Sequence, residues 1–152
     1  MTKLVTAITG VAALLVVGTA LGVGTATESY KATLTAKAEV PTPDAPAKAA
    51  GNFSATVTAK TGATDTLRWT LTFRRLSGKA VAAHIHKAAV GVPGPVVVTL
   101  CSPCRNGQTG RQAIPDDVAD ALEAGANGYY VNVHTAKNAA GEIRGQLKHL
   151  AG

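Results

Sequence analysis

The strongest constraint on the fold is an alternation of apolar and polar residues with a period of two. It covers residues 30–40, and it recurs at residues 53–60 and 67–74. We expect the first strand to end at Val40, before the prolines that follow. Successive side chains of a strand point to opposite faces, so this period indicates antiparallel strands with one buried face. Four more segments read as strands between turns rich in Gly or Pro: 80–86, 95–100, 129–134 and 142–147. The pattern predicts an all-β, antiparallel β-sandwich or flattened barrel.

One segment breaks this pattern and has the features of a helix. Asp116 and Asp117 stand where a helix N-terminus favours negative charge, and Val118 and Leu122 share a face. Gly125 suits the end of such a helix. The sequence therefore predicts one short helix among the strands.

The N-terminal segment, residues 1–26, indicates export. Lys3 precedes an apolar stretch without formal charge, and Gly24 and Ala26 are the small residues that a signal peptidase requires before its cut. We expect cleavage near Ala26, which leaves residues 27–152 as a single domain that is secreted or resides in the periplasm or cell envelope. The alternative is an uncleaved membrane anchor, because the apolar stretch is long enough to span a bilayer.

The charge of the chain is basic, but its basic residues are dispersed along the sequence. The formal net charge is +6, from 15 Lys and Arg against 9 Asp and Glu, and Arg74 with Arg75 is the only adjacent basic pair. Nucleic-acid binding usually requires clustered basic residues with interleaved aromatics, and aromatic residues make up 4% of this chain. We therefore expect no nucleic-acid partner. Loose association with an anionic wall or membrane surface is compatible with the charge, and no specific partner is indicated.

The two cysteines, Cys101 and Cys104, enclose a Ser-Pro pair at the end of a predicted strand. A thioredoxin-like redox motif needs its first Cys at a helix N-terminus, whereas the turn-rich sequence RNGQTG follows here. An all-Cys zinc site needs four sulfurs. A local disulfide is the favoured interpretation, and a copper(I) thiolate site is the alternative.

Three of the four histidines lie on predicted strands in a register that would bring them together. His84 and His86 project to one side of their strand while Ile85 enters the core. His134 also points away from the core, together with Asn132. If the two strands are neighbours, the three imidazoles meet on one face and can bind copper or zinc. The alternative is that these histidines make structural hydrogen bonds without a metal.

Residues around this face could hold the imidazoles in place. In the last predicted strand, Ile143 points inward, whereas Glu142 and Arg144 point outward. Together with Asn132, they are candidates for orienting the metal-binding imidazoles through hydrogen bonds. The alternative is a solvated cross-strand ion pair of Glu142 with Arg144 or with a neighbouring Lys. His149 is expected to be solvated near the C-terminus.

Two segments carry a resemblance to a known family. Residues 82–100, AAHIHKAAVGVPGPVVVTL, and residues 129–147, YYVNVHTAKNAAGEIRGQL, resemble the chordin-type or CHRD domain. The likeness extends over about residues 29–147 and implies an exported, β-rich domain. The family occurs alone in microbial exported proteins and repeated in animal chordins, and it implies no settled activity. The primary hypothesis is thus a binding or structural module of the cell envelope or extracellular space, with no catalysis.

The histidine pattern is also similar to that of the Cu/Zn superoxide dismutases. This likeness implies a Greek-key β-sandwich with copper held by His84, His86 and His134. No His occurs at residues 87–133, so the bridging ligand and zinc site of that family are missing. A copper-binding protein is therefore the second hypothesis, and a superoxide-dismutase-like oxidoreductase is the third.

Overall fold

A computed structural model of the chain describes residues 26–60 and 63–150. The predicted export segment lies outside the described residues, apart from Ala26 at its end. Within the described ranges, no helix is both long enough and apolar enough to cross a membrane.

The regular secondary structure of the described residues comprises nine β-strands, one α-helix and two short 3-10 helices. The helix, α1, spans Asp116–Gly125 as predicted. It lies between the sixth and seventh of nine strands. These strands are β1 (Ala26–Thr35), β2 (Ala50–Lys60), β3 (Ala63–Arg74), β4 (Ala80–Lys87), β5 (Val96–Cys101), β6 (Gln108–Ile114), β7 (Tyr129–Thr135), β8 (Ile143–Gln146) and β9 (Lys148–Leu150).

The strands form one antiparallel sheet that curls toward closure. Their order is β5-β4-β7-β8-β1-β2-β3-β6, and β9 pairs with β1 beside this path. The two end strands meet where the Gln112 side-chain amide donates a hydrogen bond to the Thr99 carbonyl at 2.9 Å. The predicted class, an all-β antiparallel sandwich or barrel with one short helix, is confirmed.

The apolar side chains of alternate positions fill the interior of this barrel. Leu34, Phe53, Leu71, Ile85 and Val131 are each exposed by 2% or less. Complete burial of each such side chain contributes about 1.5 to 3 kcal/mol relative to exposure. The buried residues Ala119 and Leu122 of α1 belong to the same core.

Two predictions about strand bounds are wrong. The first strand ends at Thr35, not Val40, because a 3-10 turn follows at Ala36–Ala38. The Thr35 hydroxyl accepts a hydrogen bond from the Ala38 backbone N–H at 3.3 Å.

Strand β6 begins at Gln108, within the RNGQTG segment that the sequence analysis describes as turn-rich. Its inward positions carry few apolar side chains, and the indole of Trp69 occupies the space that a side chain at Gly110 would need.

Candidate metal centre

Pairing between β4 and β7 brings the three predicted histidines together. Strand β4 lies antiparallel to β7, with His84 opposite Asn132 and His86 opposite Tyr130. The Nδ1 atom of His84 lies 3.0 Å from the Nε2 atom of His134. One ring nitrogen from each of the three histidines lies within 4.8 Å of the others. We call His84, His86 and His134 the histidine cluster.

The histidine cluster is largely buried, although its side chains point away from the core. His86 is 7% exposed and His134 is 9% exposed, whereas His84 is partly exposed. The cluster does lie on the outer face of the sheet, but the loops at residues 88–95 and 136–141 bond to its members. Solvent therefore reaches the cluster on the side of His84.

Backbone carbonyls fix the orientation of two imidazoles. The Nδ1 atom of His86 lies 2.8 Å from the Gly94 carbonyl oxygen, and the Nδ1 atom of His134 lies 2.9 Å from the Ala139 carbonyl oxygen. A carbonyl can only accept, so each Nδ1 carries the proton and each Nε2 presents a lone pair. The Nε2 atom of His134 accepts from His84, whereas the Nε2 atom of His86 is buried with no partner among the described residues.

The cluster favours neutral imidazoles. Burial, together with charge repulsion from the neighbouring His134 and His86, lowers the pKa of His84 to about 4. Burial also lowers the pKa of His134, although its bond to the Ala139 carbonyl opposes the shift. Since a metal binds the deprotonated ring, these shifts keep both side chains in the state that ligation requires.

An aromatic and cationic stack lies behind His86. The His86 and Tyr130 rings are parallel within 6°, with their centroids 4.7 Å apart. The guanidinium carbon of Arg144 lies 3.4 Å from the centroid of the Tyr130 ring, and its Nη2 donates to the Ala89 carbonyl at 3.0 Å. Arg144 is 1% exposed, so the solvated ion pair expected for it is wrong. It supports His86 through Tyr130, without touching the imidazole.

The Glu142 carboxylate bonds to residues other than the histidines. Its carboxylate accepts hydrogen bonds from the Ser77 backbone N–H and hydroxyl, each at 2.5 Å, from the Thr135 hydroxyl at 2.6 Å and from the Asn138 amide at 3.1 Å. We call these four residues the Glu142 cluster. Burial alone would raise the pKa of Glu142, but these hydrogen bonds outweigh it and lower the pKa. The group is a buried, fully paired carboxylate.

Asn132 lies opposite His84 in the strand register. Its side chain also lies beside Glu39, which the sequence did not single out. Burial raises the pKa of Glu39 above its ordinary value, while Arg144 opposes that rise. One oxygen of each side chain, Oδ1 of Asn132 and Oε2 of Glu39, is buried without a partner in the described part of the chain.

Several supporting groups were missed from the sequence. The carbonyls of Gly94 and Ala139 leave no signature in residue type, since every residue has such an acceptor. Tyr130 could have been found, because it occupies the same face of β7 as His134. Gly94 could also have been found, because glycine between two prolines often marks a close backbone approach.

The predicted disulfide is present. Cys101 at the end of β5 is bonded to Cys104, with the two Cα atoms 5.2 Å apart. A thiolate site for copper(I) is incompatible with this bond. A disulfide fits an oxidising compartment. The remaining histidine, His149, has a side chain that is 37% exposed and pairs with Glu28, apart from the histidine cluster.

Residues 30–147 match a protein-family model described as the CHRD domain. Neither curated proteins nor solved structures yield a match to the chain.

Proposed function

The chain belongs to the CHRD domain family, and from that premise we propose that it is an exported binding module that holds a copper ion between His84, His86 and His134. The observation that carries this proposal is the Nε2 atom of His86, which is buried and has no hydrogen-bond partner among the described residues. Leaving such a group unpaired costs about 1 to 3 kcal/mol. A metal ion shared with the two neighbouring rings offsets that cost.

The donor set favours a transition metal over a hard cation. All three candidate ligands are imidazoles, and no carboxylate belongs to the group of converging ligand atoms among the described residues. Imidazole suits copper and zinc, whereas calcium and magnesium require oxygen ligands. Between these two, the general order of divalent affinities places copper first.

Two independent features support the proposal that the protein is exported. The N-terminal segment has the charge, apolar stretch and small residues of an export signal. The Cys101–Cys104 disulfide suits the oxidising conditions outside the cytoplasm. We therefore place the module in the cell envelope or the extracellular space.

We propose binding without turnover for this site. The sequence offers no histidine at residues 87–133 that could bridge to a second metal, as the superoxide dismutase pattern requires. The third hypothesis, an oxidoreductase, is tested by loading the protein with copper and measuring superoxide loss. A rate no faster than that of the variant lacking all three histidines supports binding alone.

The proposal is tested by titrating tag-free protein with copper and zinc. We expect one equivalent of copper to bind the wild type. The variants His84→Ala, His86→Ala and His134→Ala should each lose more than about 100-fold in affinity, which exceeds the 10-fold to 100-fold loss typical of supporting residues. The triple variant should be little worse than each single variant, because losses within one site are not additive.

His149→Ala is the matched control, since it removes the histidine outside the cluster. It should bind copper as the wild type does. If the wild type takes up neither copper nor zinc, the histidine cluster is a structural hydrogen-bonding group and the metal proposal fails. Equal affinity in His134→Ala and wild type would show that β7 contributes no ligand.

A further inference from the structure

A second surface, on the opposite half of the sheet, collects basic residues that are scattered in the sequence. Strands β9, β1, β2, β3 and β6 pair in register, so their outward side chains form two rows that cross the strands. One row is Lys148, Lys31, Ser54, Thr70 and Thr109. The next row is Leu150, Ser29, Thr56, Arg68 and Arg111. We call these two rows the basic face.

Like charges stand directly opposite each other on the basic face. Lys31 pairs with Lys148 and Arg68 pairs with Arg111 in the strand register, and all four side chains are exposed. Directly opposed like charges destabilise a sheet. No acidic residue occupies an outward position of these strands in the described chain. Basic residues that are dispersed along the sequence are therefore brought together on one face of the fold.

A shallow groove of about 630 Å³ runs between the two rows. One wall includes Ser54, Thr70 and Thr109, and the other includes Arg68 and Arg111. The groove crosses from β1 to β6, a span of about 14 Å at the usual separation of neighbouring strands. Its walls thus offer hydroxyl groups on one side and two guanidinium groups on the other.

We propose that this groove binds an acidic polysaccharide. A guanidinium binds a carboxylate or sulfate through two parallel hydrogen bonds. In the groove, Arg68 and Arg111 bind the anionic groups of such a polymer in this way. Ser and Thr hydroxyls both donate and accept, as sugar hydroxyls do. The bound anions also relieve the repulsion between the opposed arginines.

Other anionic partners fit this face less well. Insertion into a membrane needs exposed large apolar side chains, but those of the described chain lie elsewhere, on β4, β5 and the loop between them: Val81, Val90, Val92 and Val96. Single-stranded nucleic acid needs exposed aromatic rings on which bases can stack. The rings bordering the groove, Tyr30 and Trp69, are 2% and 4% exposed.

The proposal is tested by measuring binding of the full chain to polygalacturonate, with neutral dextran as the reference polymer. We expect Arg68→Gln/Arg111→Gln to weaken binding at least about tenfold, because each arginine forms a charge-assisted contact. The control Arg105→Gln/Lys79→Gln removes the same two charges from exposed positions outside the groove. It should change binding by less than about twofold at physiological ionic strength, where distant charges are screened.

Thermal unfolding separates a binding role from a structural one. If the opposed arginines serve a ligand, Arg68→Gln/Arg111→Gln should unfold at the same temperature as the wild type or at a higher one. Equal losses in both double variants would overturn the proposal, because net charge would then explain the binding. Stronger binding to vesicles containing phosphatidylserine than to polygalacturonate would also overturn it. Copper binding is measured separately, since the histidine cluster lies on other strands.

Discussion

The histidine cluster and the Glu142 cluster both take residues from the hairpin between β7 and β8, yet they differ in how their polar atoms are satisfied. Both oxygens of Glu142 accept hydrogen bonds from Ser77, Thr135 or Asn138. In the histidine cluster, His86 keeps a buried lone pair that meets no donor among the described residues. A buried hydrogen-bond network in which every polar atom is paired stabilises a fold. A network that leaves a buried lone pair unpaired is suited to binding a ligand. Burial of polar groups alone therefore does not distinguish structure from function.

The largest expected effect is the loss of the buried carboxylate. Glu142→Ala leaves donors of three residues without an acceptor, and we expect the free energy of unfolding to fall by about 3 kcal/mol or more. Thr135→Val removes one donor to Glu142 and also the acceptor of the Asn138 backbone N–H, and it should cost about 1 to 3 kcal/mol. Urea unfolding measures both values. The exposed helix residue Glu123, changed to Ala, should shift stability by less than about 0.5 kcal/mol; a similar small shift in Glu142→Ala would contradict the assigned role.

Copper should stabilise the fold through the histidine cluster alone. At a free concentration about 100 times the dissociation constant, ligand binding adds about 2.7 kcal/mol to the free energy of unfolding. We expect this increment in the wild type and in Thr135→Val, and none in His86→Ala. Urea unfolding with and without copper provides the measurement. An increment that survives in His86→Ala would place the copper elsewhere.

A smaller effect is expected from the loop that orients His86. A side chain at Gly94 would overlap the Lys87 carbonyl, so Gly94→Ala should displace the carbonyl that holds His86. Supporting groups of this kind contribute about 10-fold to 100-fold to metal affinity. Gly78→Ala is the control, because nothing lies within 4 Å of the added carbon. Unchanged copper affinity in Gly94→Ala would show that the loop does not position the ligand.

The smallest expected effect is a change in pH dependence that separates the two clusters. The pKa of His84 is lowered from 6.5 to about 4 in the fold, so between these values the unfolded chain binds more protons than the native one. Stability without metal should therefore fall as the pH drops from 6.5 toward 4. The pKa of Glu142 is lowered in the fold, so its contribution to the free energy of unfolding is complete above the pKa that it has in the unfolded chain. This contribution is lost as the pH falls through the lowered pKa of the folded chain.

This window is checked by urea unfolding across the pH range in wild type and His84→Gln. The slope between pH 6.5 and 4 should decrease in the variant, while the acid-induced loss due to Glu142 stays. An identical slope in both proteins would show that His84 is not buried in its neutral form.

The sequence predicts which side chains share a strand face, but not which loops cover that face. A period of two sets the direction of His84, His86 and His134, because neighbouring side chains on a strand must alternate. Turn residues indicate where the chain reverses, without specifying the surface on which a loop folds. For this reason Arg144 and Glu142 were expected in solvent and are buried instead.

Strand β6 illustrates a second limit of sequence reasoning. Its residues are exposed or partly exposed up to Ile114, so no alternation of large apolar side chains marks it as a strand. Pairing with β3 and the space filled by Trp69 above Gly110 decide its conformation. Such tertiary contacts override local propensity.

The distance along the chain between the paired strands also affects the order in which the molecule assembles. Strands β1, β2 and β3 follow one another and pair in sequence, whereas the contact between His84 and His134 joins residues 50 positions apart. Long-range contacts require closure of larger loops and form more slowly. We expect the histidine cluster to form after the folding transition state, so that a bound ion lengthens the lifetime of the folded chain without accelerating its folding.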